Sequence, residues 1–218
     1  MIVYKQIVEK VLPSMKNLKL NATLAVITML MSWSWVKADS TIVILRHGEK
    51  PPAGLGQLSC QGLNRSLALP RVLLARFGKP TAIYAPNPAI QKKDLGVPYA
   101  YIRPLATIEP LAIQIGMPVN VNWGMNDIEP LAETLLSKTD GLQLVAWEHH
   151  LGKELAKLLL AKSGANKDVV PEWAGEDFDS LYVVRIVSGS DGAKKVSFSH
   201  EQQGLNSMPA VCPTPNQP

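Results

Sequence analysis

The sequence predicts an α/β fold, a three-layer sandwich in which a mainly parallel central sheet is flanked by helices. Short apolar runs alternate with longer mixed segments from Ser40 onward, as in sheets whose strands are joined by crossover helices. Two of these runs, TIVIL and LQLVAW, are almost continuously apolar, which is typical of central strands covered on both faces.

Each element follows from a local pattern. Strands are predicted, in chain order, at 41–45, 81–84, 119–122, 143–147, 181–187 and, as a last short one, near 195–199. Helices are predicted between them at 61–77 after a Ser59 cap, 105–115, 127–137 and 151–163. Glycines follow three of these helices, where a left-handed residue costs least: Gly78, Gly116 and Gly164. The SGSDG stretch between the last two strands predicts a closing hairpin.

Residues 1–38 have the pattern of a secretory signal peptide. Two lysines precede a long apolar run, 20–36, and the sequence Val36-Lys37-Ala38 offers a cleavage site. We therefore expect one domain, 39–218, that is periplasmic or secreted and has no stable membrane insertion after cleavage. The alternative is an uncleaved anchor, although the run is shorter than the ~20 apolar residues that a span needs.

Charge and cysteine content narrow the possible partners. The net charge of +4 arises in the leader, which holds five lysines and one acid, so the remaining chain is neutral and nucleic acid is not an expected partner. Both cysteines, Cys60 and Cys212, follow the leader, and an exported protein can join such a pair. Two unpaired thiols are the alternative, because spacing alone does not test the geometry.

Charged side chains follow two predicted central strands, at the edge of a sheet where ligands collect. Arg46 and His47 leave the first strand, and His149 in LVAWEHHLG leaves another. Arg103 begins a helix, with Thr107 one turn later, so free helix amides and a guanidinium could bind an anion together. If these groups share one pocket, they select a compact dianion such as phosphate, and a neutral imidazole could attack phosphorus. Considered one at a time, each of these charged residues could instead be an ordinary surface residue without a role in binding.

The motifs together resemble the histidine phosphatase superfamily, the phosphoglycerate mutase-like proteins. RHGE at 46–49, LSCQGLNRSLALP at 58–70, Arg103 with Thr107, and VAWEH occur in the order that the superfamily has. The resemblance implies that His47 becomes phosphohistidine, while Arg46, Arg103 and His149 bind the phosphoryl group without a cofactor. His150 is the runner-up for the second histidine.

Two features depart from that pattern. A polar stretch, 89–101, separates the YAPNP segment from Arg103, and we expect it to form part of the rim; Asn87 of YAPNP is a candidate substrate ligand. The second departure concerns the general acid that must protonate the leaving alcohol, which in the superfamily is commonly a glutamate after the next strand. Asp127 in NWGMND is the first candidate, with Glu109 and Glu148 as outside candidates, although Asp127 could equally cap the following helix.

The predicted function is an exported phosphomonoesterase that acts on a small phosphorylated substrate through phosphohistidine. A phosphomutase, or a binding protein that recognises a phosphorylated envelope component without turnover, is the alternative. A metal enzyme is disfavoured, because the sequence has no HxxxH or cysteine cluster and His47 and His149 would be only two ligands.

Overall fold

A computed structural model describes residues 39–189 and 193–214; the signal-peptide pattern lies outside these residues. The strands of the described part are β1 (Asp39–Arg46), β2 (Ala82–Tyr84), β3 (Gln91–Asp94), β4 (Val97–Ala100), β5 (Gly141–Trp147), β6 (Ser180–Ser188) and β7 (Lys194–Gln202). Its helices are α1 (Cys60–Phe77), α2 (Arg103–Ile115), α3 (Ile128–Ser137) and α4 (His149–Lys162), with a short 3-10 turn at Lys167–Val169.

The main sheet has the strand order β2-β5-β1-β6-β7. The strand β1 pairs in parallel with β5, from Ser40 opposite Gly141 to Arg46 opposite Trp147. On its other side β1 pairs antiparallel with β6, and β6 pairs antiparallel with β7. Only β6 therefore runs against the other strands of this sheet, so the predicted mainly parallel sheet and the closing hairpin are confirmed.

The core lies on both faces of this sheet. Ile44 of β1 and Val145 of β5 pack on one face with apolar residues of α3 and α4, such as Leu131 and Leu155. Their strand neighbours pack on the opposite face with apolar residues of α1 and α2: Val43, Leu144, Leu69 and Ile108. Because successive side chains of a strand point to opposite faces, two nearly continuous apolar strands supply both cores. The three-layer sandwich is confirmed.

One predicted strand was wrong, and one hairpin was not predicted. Residues 119–122 form a single parallel bridge, Tyr84 opposite Asn120, because the chain leaves the sheet edge at a turn that begins at Gly124. The polar stretch before Arg103 contains the antiparallel pair β3 and β4, joined by the two-residue turn Leu95-Gly96. Its sequence, QKKD and VPYA, lacks the alternating apolar pattern that identifies strands.

The two cysteines form a disulfide between Cys60, the first residue of α1, and Cys212, as the sequence suggested. Asn64, one turn further along α1, donates side-chain hydrogen bonds to the carbonyls of Pro209 and Val211. The C-terminal segment is thus fastened across the start of α1. Within residues 39–189 and 193–214, no helix combines the length and apolar character that crossing a membrane requires.

The loop that follows β1 lies directly on the first turn of α1. Ser59 accepts a hydrogen bond from the Gly62 amide through its hydroxyl, while its own amide donates to the Glu49 carbonyl. A Cβ added to Gly62 would lie 2.3 Å from the Glu49 carbonyl oxygen, and a Cβ on Gly48 would lie 2.9 Å from that of Gly62. Both positions therefore require glycine because backbone approaches backbone.

We expect Gly62→Ala to lower the free energy of unfolding by roughly 2–4 kcal/mol, because the displaced atoms are backbone and cannot rotate away. The matched control is Gly152→Ala in α4, whose added Cβ would meet side-chain atoms and no backbone, a methyl of Ile44 at 3.3 Å and a ring carbon of Trp173 at 3.6 Å. Urea unfolding measures both variants. Equal free energies of unfolding for the two variants would show that the loop after β1 can move aside without loss of stability.

Candidate active site

Three of the predicted site residues, Arg46, His47 and His149, lie where β1 and β5 end. Arg46 is the last residue of β1, and the His47 amide donates a 3.0 Å hydrogen bond to the carbonyl of Trp147, the last residue of β5. Glu148 follows directly and caps α4 by accepting a hydrogen bond from the Leu151 amide. Parallel pairing of two buried strands therefore brings both charged segments to one edge of the sheet.

His47 is buried and has a defined tautomer. Its Nδ1 lies 2.7 Å from the Gly48 carbonyl oxygen, which can only accept, so Nδ1 carries the proton and Nε2 presents a lone pair. Burial lowers the pKa of His47 to about 3, and the nearby charges of Arg103, Arg46 and Lys92 act in the same direction. The imidazole is therefore neutral at physiological pH, the form in which it can act as a nucleophile.

Arg46 is fixed by backbone carbonyls and an aromatic ring. One terminal guanidinium nitrogen donates to the carbonyl oxygens of Gly175 at 2.7 Å and Asp177 at 2.9 Å. The guanidinium carbon lies 3.8 Å from the centre of the Phe178 ring, within the range of a cation–π contact. The loop before β6 thus sets the orientation of this arginine.

Arg103 is fixed by a carboxylate on the hairpin. Its terminal nitrogens donate to the two oxygens of Asp94, at 2.6 and 3.2 Å, and both residues are buried. The hydrogen bonds from Arg103, together with one from the Gly56 amide, lower the pKa of Asp94 to about 2. Thr107 links this helix to the loop after β1, because its hydroxyl donates to the Arg103 carbonyl and accepts from the Gly48 amide.

His149 lies on the first turn of α4 beside Glu148. Its Nδ1 is 2.6 Å from Oε1 of Glu148, but the two groups are not aligned for a hydrogen bond. Burial opposes ionisation of Glu148, yet its contacts with His149 and the Leu151 amide lower the pKa of this carboxyl to about 2. His150, the runner-up, is exposed and stacks on His149 with ring centres 4.6 Å apart.

Unpaired polar atoms are concentrated in this site. In the described part of the chain, four buried side-chain polar atoms have no hydrogen-bond partner: Nε of Arg46, Nε of Arg103, Nδ1 of His149 and the hydroxyl of Tyr101. A buried donor without a partner costs free energy, so such groups are rare in folded proteins. Two guanidinium Nε–H groups and a phenol are hydrogen-bond donors suited to an oxyanion.

Three contributors to the site could not be named from the sequence. Tyr101, between β4 and α2, places its buried ring edge-on to His47 at 6.0 Å between ring centres. Lys92 of β3 holds its ammonium nitrogen 5.0 Å from the centre of the Tyr101 ring. Phe178 packs against both Arg46 and His47. None of these residues belongs to a motif, so nothing in the sequence marked them as part of the site.

The remaining predicted residues lie elsewhere on the rim or outside it. Asn87 is half-buried and uses its side-chain oxygen to accept from the Ala89 amide. Asp127 is exposed, precedes α3 without capping it, and accepts from the Gly124 amide. Glu109 is exposed on α2. The contacts of the described residues connect none of these three with His47.

No group of three or more histidine, cysteine, aspartate or glutamate side chains is placed to hold a metal ion among residues 39–189 and 193–214. The charged groups around His47 are instead two arginines and a lysine, with Asp94 and Glu148 as the nearby carboxylates. This set favours an anionic ligand.

No protein-family model and no curated protein matches the sequence. Several solved structures are similar. One is a mycobacterial glucosyl-3-phosphoglycerate phosphatase with inorganic phosphate: 18% identity, 73% of this chain and 95% of that chain covered, TM-score 0.48. Another is a phosphoserine phosphatase from Entamoeba histolytica with phosphoserine: 9% identity, 77% and 98% covered, TM-score 0.46. A phosphoglycerate mutase from Bacillus anthracis follows with 12% identity, 75% and 93% covered, TM-score 0.45.

The lowered pKa of His47 makes stability depend on pH. An unfolded histidine has a pKa of ~6.5, so between about pH 3 and pH 6.5 the unfolded chain binds a proton that the folded protein does not. Burial of neutral His47 therefore reduces stability progressively as pH falls through this window, and has no such effect above it.

We accordingly expect His47→Asn to become more stable relative to the wild type as pH falls from about 7 to about 4. The asparagine amide can still donate to the Gly48 carbonyl but does not titrate. Urea unfolding of both proteins at the two pH values gives the difference. A difference that does not change with pH would contradict the lowered pKa.

Proposed function

We propose that this protein is a phosphatase that hydrolyses phosphate monoesters through a phosphohistidine formed on Nε2 of His47. The observation that carries the proposal is the coincidence of a neutral, tautomerically fixed imidazole with unpaired buried donors from both arginines and Tyr101. A phosphoryl group has three oxygens to satisfy such donors, and its transfer needs positive charge more than covalent chemistry from the protein.

Each residue then has a physical role. Nε2 of His47 attacks phosphorus, because Nδ1 is held by the Gly48 carbonyl and cannot act as the nucleophile. The Nε–H groups of Arg46 and Arg103 donate to phosphoryl oxygens, while their terminal nitrogens stay bound to carbonyl oxygens and to Asp94. Donors held in place before substrate arrives need no reorganisation during transfer. His149, on α4 beside Glu148, is a further phosphoryl ligand in this proposal.

The proposal includes export of the protein to an oxidising compartment. The Cys60–Cys212 disulfide supports this, since such bonds persist outside the cytosol. The signal-peptide pattern of residues 1–38 supports it independently. A small phosphorylated molecule outside the cytosol is the substrate that we propose.

Substitution of the nucleophile tests the function. We expect the wild type to release phosphate from an aryl phosphate, and His47→Ala to lower kcat/KM by at least about 10³-fold, because no neighbouring group replaces the imidazole. His200→Ala is the control, because His200 is an exposed histidine of β7. Retention of most activity in His47→Ala would remove the nucleophile assignment.

A wild type that is inactive but is stabilised against thermal unfolding by vanadate would favour the alternative of a phosphate-binding protein.

The phenol of Tyr101 gives a second, separate test. Tyr101→Phe keeps the ring beside His47 but removes a donor, so we expect vanadate to inhibit about 10–100-fold less well, the cost of one hydrogen bond to a charged group. Tyr99→Phe, a half-buried tyrosine of β4, is the matched control and should change inhibition by less than about twofold. Unchanged inhibition in Tyr101→Phe would mean that the phenol does not contact the anion.

A further inference from the structure

The hairpin of β3 and β4 directs two charged side chains toward the site. Successive side chains of β3 alternate between faces, so Lys92 and Asp94 share one face while Gln91 and Lys93 share the other. Asp94 is buried and Lys92 is half-buried, whereas Gln91 and Lys93 are exposed. The inward face of this strand thus carries one anion and one cation.

These two charges differ in their partners. Both oxygens of Asp94 are bound to Arg103. The ammonium group of Lys92 makes no ion pair or hydrogen bond with the described residues. Its nitrogen lies over the Tyr101 ring, 5.0 Å from the ring centre. Because that ring is edge-on to His47, and because the charge of Lys92 lowers the pKa of His47, the ammonium lies within electrostatic reach of the nucleophile.

The carboxylates considered from the sequence do not suit the role of general acid. Such a group must hold a proton and lie near the leaving oxygen. Asp127 and Glu109 are exposed and have no contact with the site among the described residues. Glu148 lies in the site, but its lowered pKa of about 2 leaves it ionised at neutral pH. A proton donor is therefore needed from another residue.

We propose that Lys92 is the general acid, protonating the leaving-group oxygen when His47 takes the phosphoryl group. This inference rests on the proposed phosphatase function. As Nε2 of His47 bonds to phosphorus, the ester P–O bond breaks, its electron pair stays on the oxygen, and a proton moves there from the Lys92 ammonium. Lys92 is then a neutral amine.

The second half of the cycle restores both groups. The amine of Lys92 accepts a proton from water as the water oxygen bonds to phosphorus and the P–N bond breaks, with its electron pair returning to Nε2 of His47. Inorganic phosphate leaves, and the ammonium is regenerated. The two steps together require only the phosphate ester and water, and no oxidant, metal or further reactant.

The surroundings of Lys92 make proton release easier than for a solvated lysine. Partial burial lowers its pKa, and the positive charges of Arg103 and Lys50 act in the same direction, whereas Glu148 and Asp94 oppose them. The charged and titratable groups near it come from five parts of the chain: Asp94 on β3, Tyr101 between β4 and α2, Arg103 on α2, Glu148 before α4, and Lys50 with His47 after β1. A lysine in such a position can serve in acid–base catalysis.

The leaving group provides the decisive readout. An aryl phosphate expels a stable phenolate and needs little help, whereas an alkyl phosphate expels a basic alkoxide and depends on an acid. We expect Lys92→Met to lower kcat/KM for an alkyl phosphate by about 10²-fold or more, but that for p-nitrophenyl phosphate by less than about tenfold. Lys93→Met, on the solvent face of the same strand, should leave both rates near the wild-type values.

A charge-preserving variant separates proton transfer from electrostatics. Lys92→Arg keeps a positive charge but does not release a proton near neutral pH, so we expect hydrolysis of the alkyl phosphate to stay slow. A general acid must be protonated, so the wild-type rate on this substrate should fall as pH rises through the lowered pKa of Lys92. The Lys92→Arg variant should not show this decline in rate with rising pH.

The outcomes distinguish this inference from the function on which it rests. Wild-type protein without His47-dependent hydrolysis of either ester would refute the phosphatase and the role of Lys92 together. His47-dependent hydrolysis in which Lys92→Met slows both esters equally, or in which Lys92→Arg restores the alkyl rate, would refute only the proton transfer. Thermal unfolding of each variant near the wild-type temperature excludes loss of the fold as the cause.

Discussion

The site depends on the contact between the loop after β1 and the first turn of α1. Backbone touches backbone at Gly48 and Gly62, with no space for a Cβ on either residue. The hydroxyl of Thr107 holds the same loop from α2 by accepting from the Gly48 amide. Two helices therefore fix the carbonyl of Gly48, which in turn determines the tautomer of His47. Close packing of the backbone and the contact of Nδ1 with the Gly48 carbonyl together position the His47 imidazole.

Electrostatics imposes the second constraint, because several cations share a largely buried site. Isolated buried charges are unfavourable, so each arginine needs partners even when no substrate is bound. Arg46 finds them in backbone carbonyls and the Phe178 ring, and Arg103 in Asp94. These partners use the terminal nitrogens and leave each Nε without one. Burial is the main cause of the lowered pKa of His47, and the same positive charges add to it, so both effects keep the imidazole neutral.

The sequence predicted the sheet, its flanking helices and the residues at the ends of β1 and β5, because continuous apolar runs and strand-end motifs are local signals. It did not predict that Asp94 binds Arg103 or that Lys92 and Tyr101 lie near His47. These are contacts between segments, formed by a polar hairpin without apolar periodicity. Asp127 illustrates the opposite case: its position in the chain suited an acid, but only the fold reveals its exposure.

The hairpin itself has a register that matters chemically. A shift of one residue in β3 would turn Lys92 and Asp94 to solvent and bring Lys93 inward, since side chains alternate along a strand. Two features oppose such a shift. The turn has positive φ at both Leu95 (50°) and Gly96 (87°), the backbone form that suits two-residue hairpins. A leucine in this conformation is unfavourable by itself, so tertiary contacts must maintain it. The buried Asp94–Arg103 pair supplies such a contact, and it holds Lys92 in place two residues earlier on the same face.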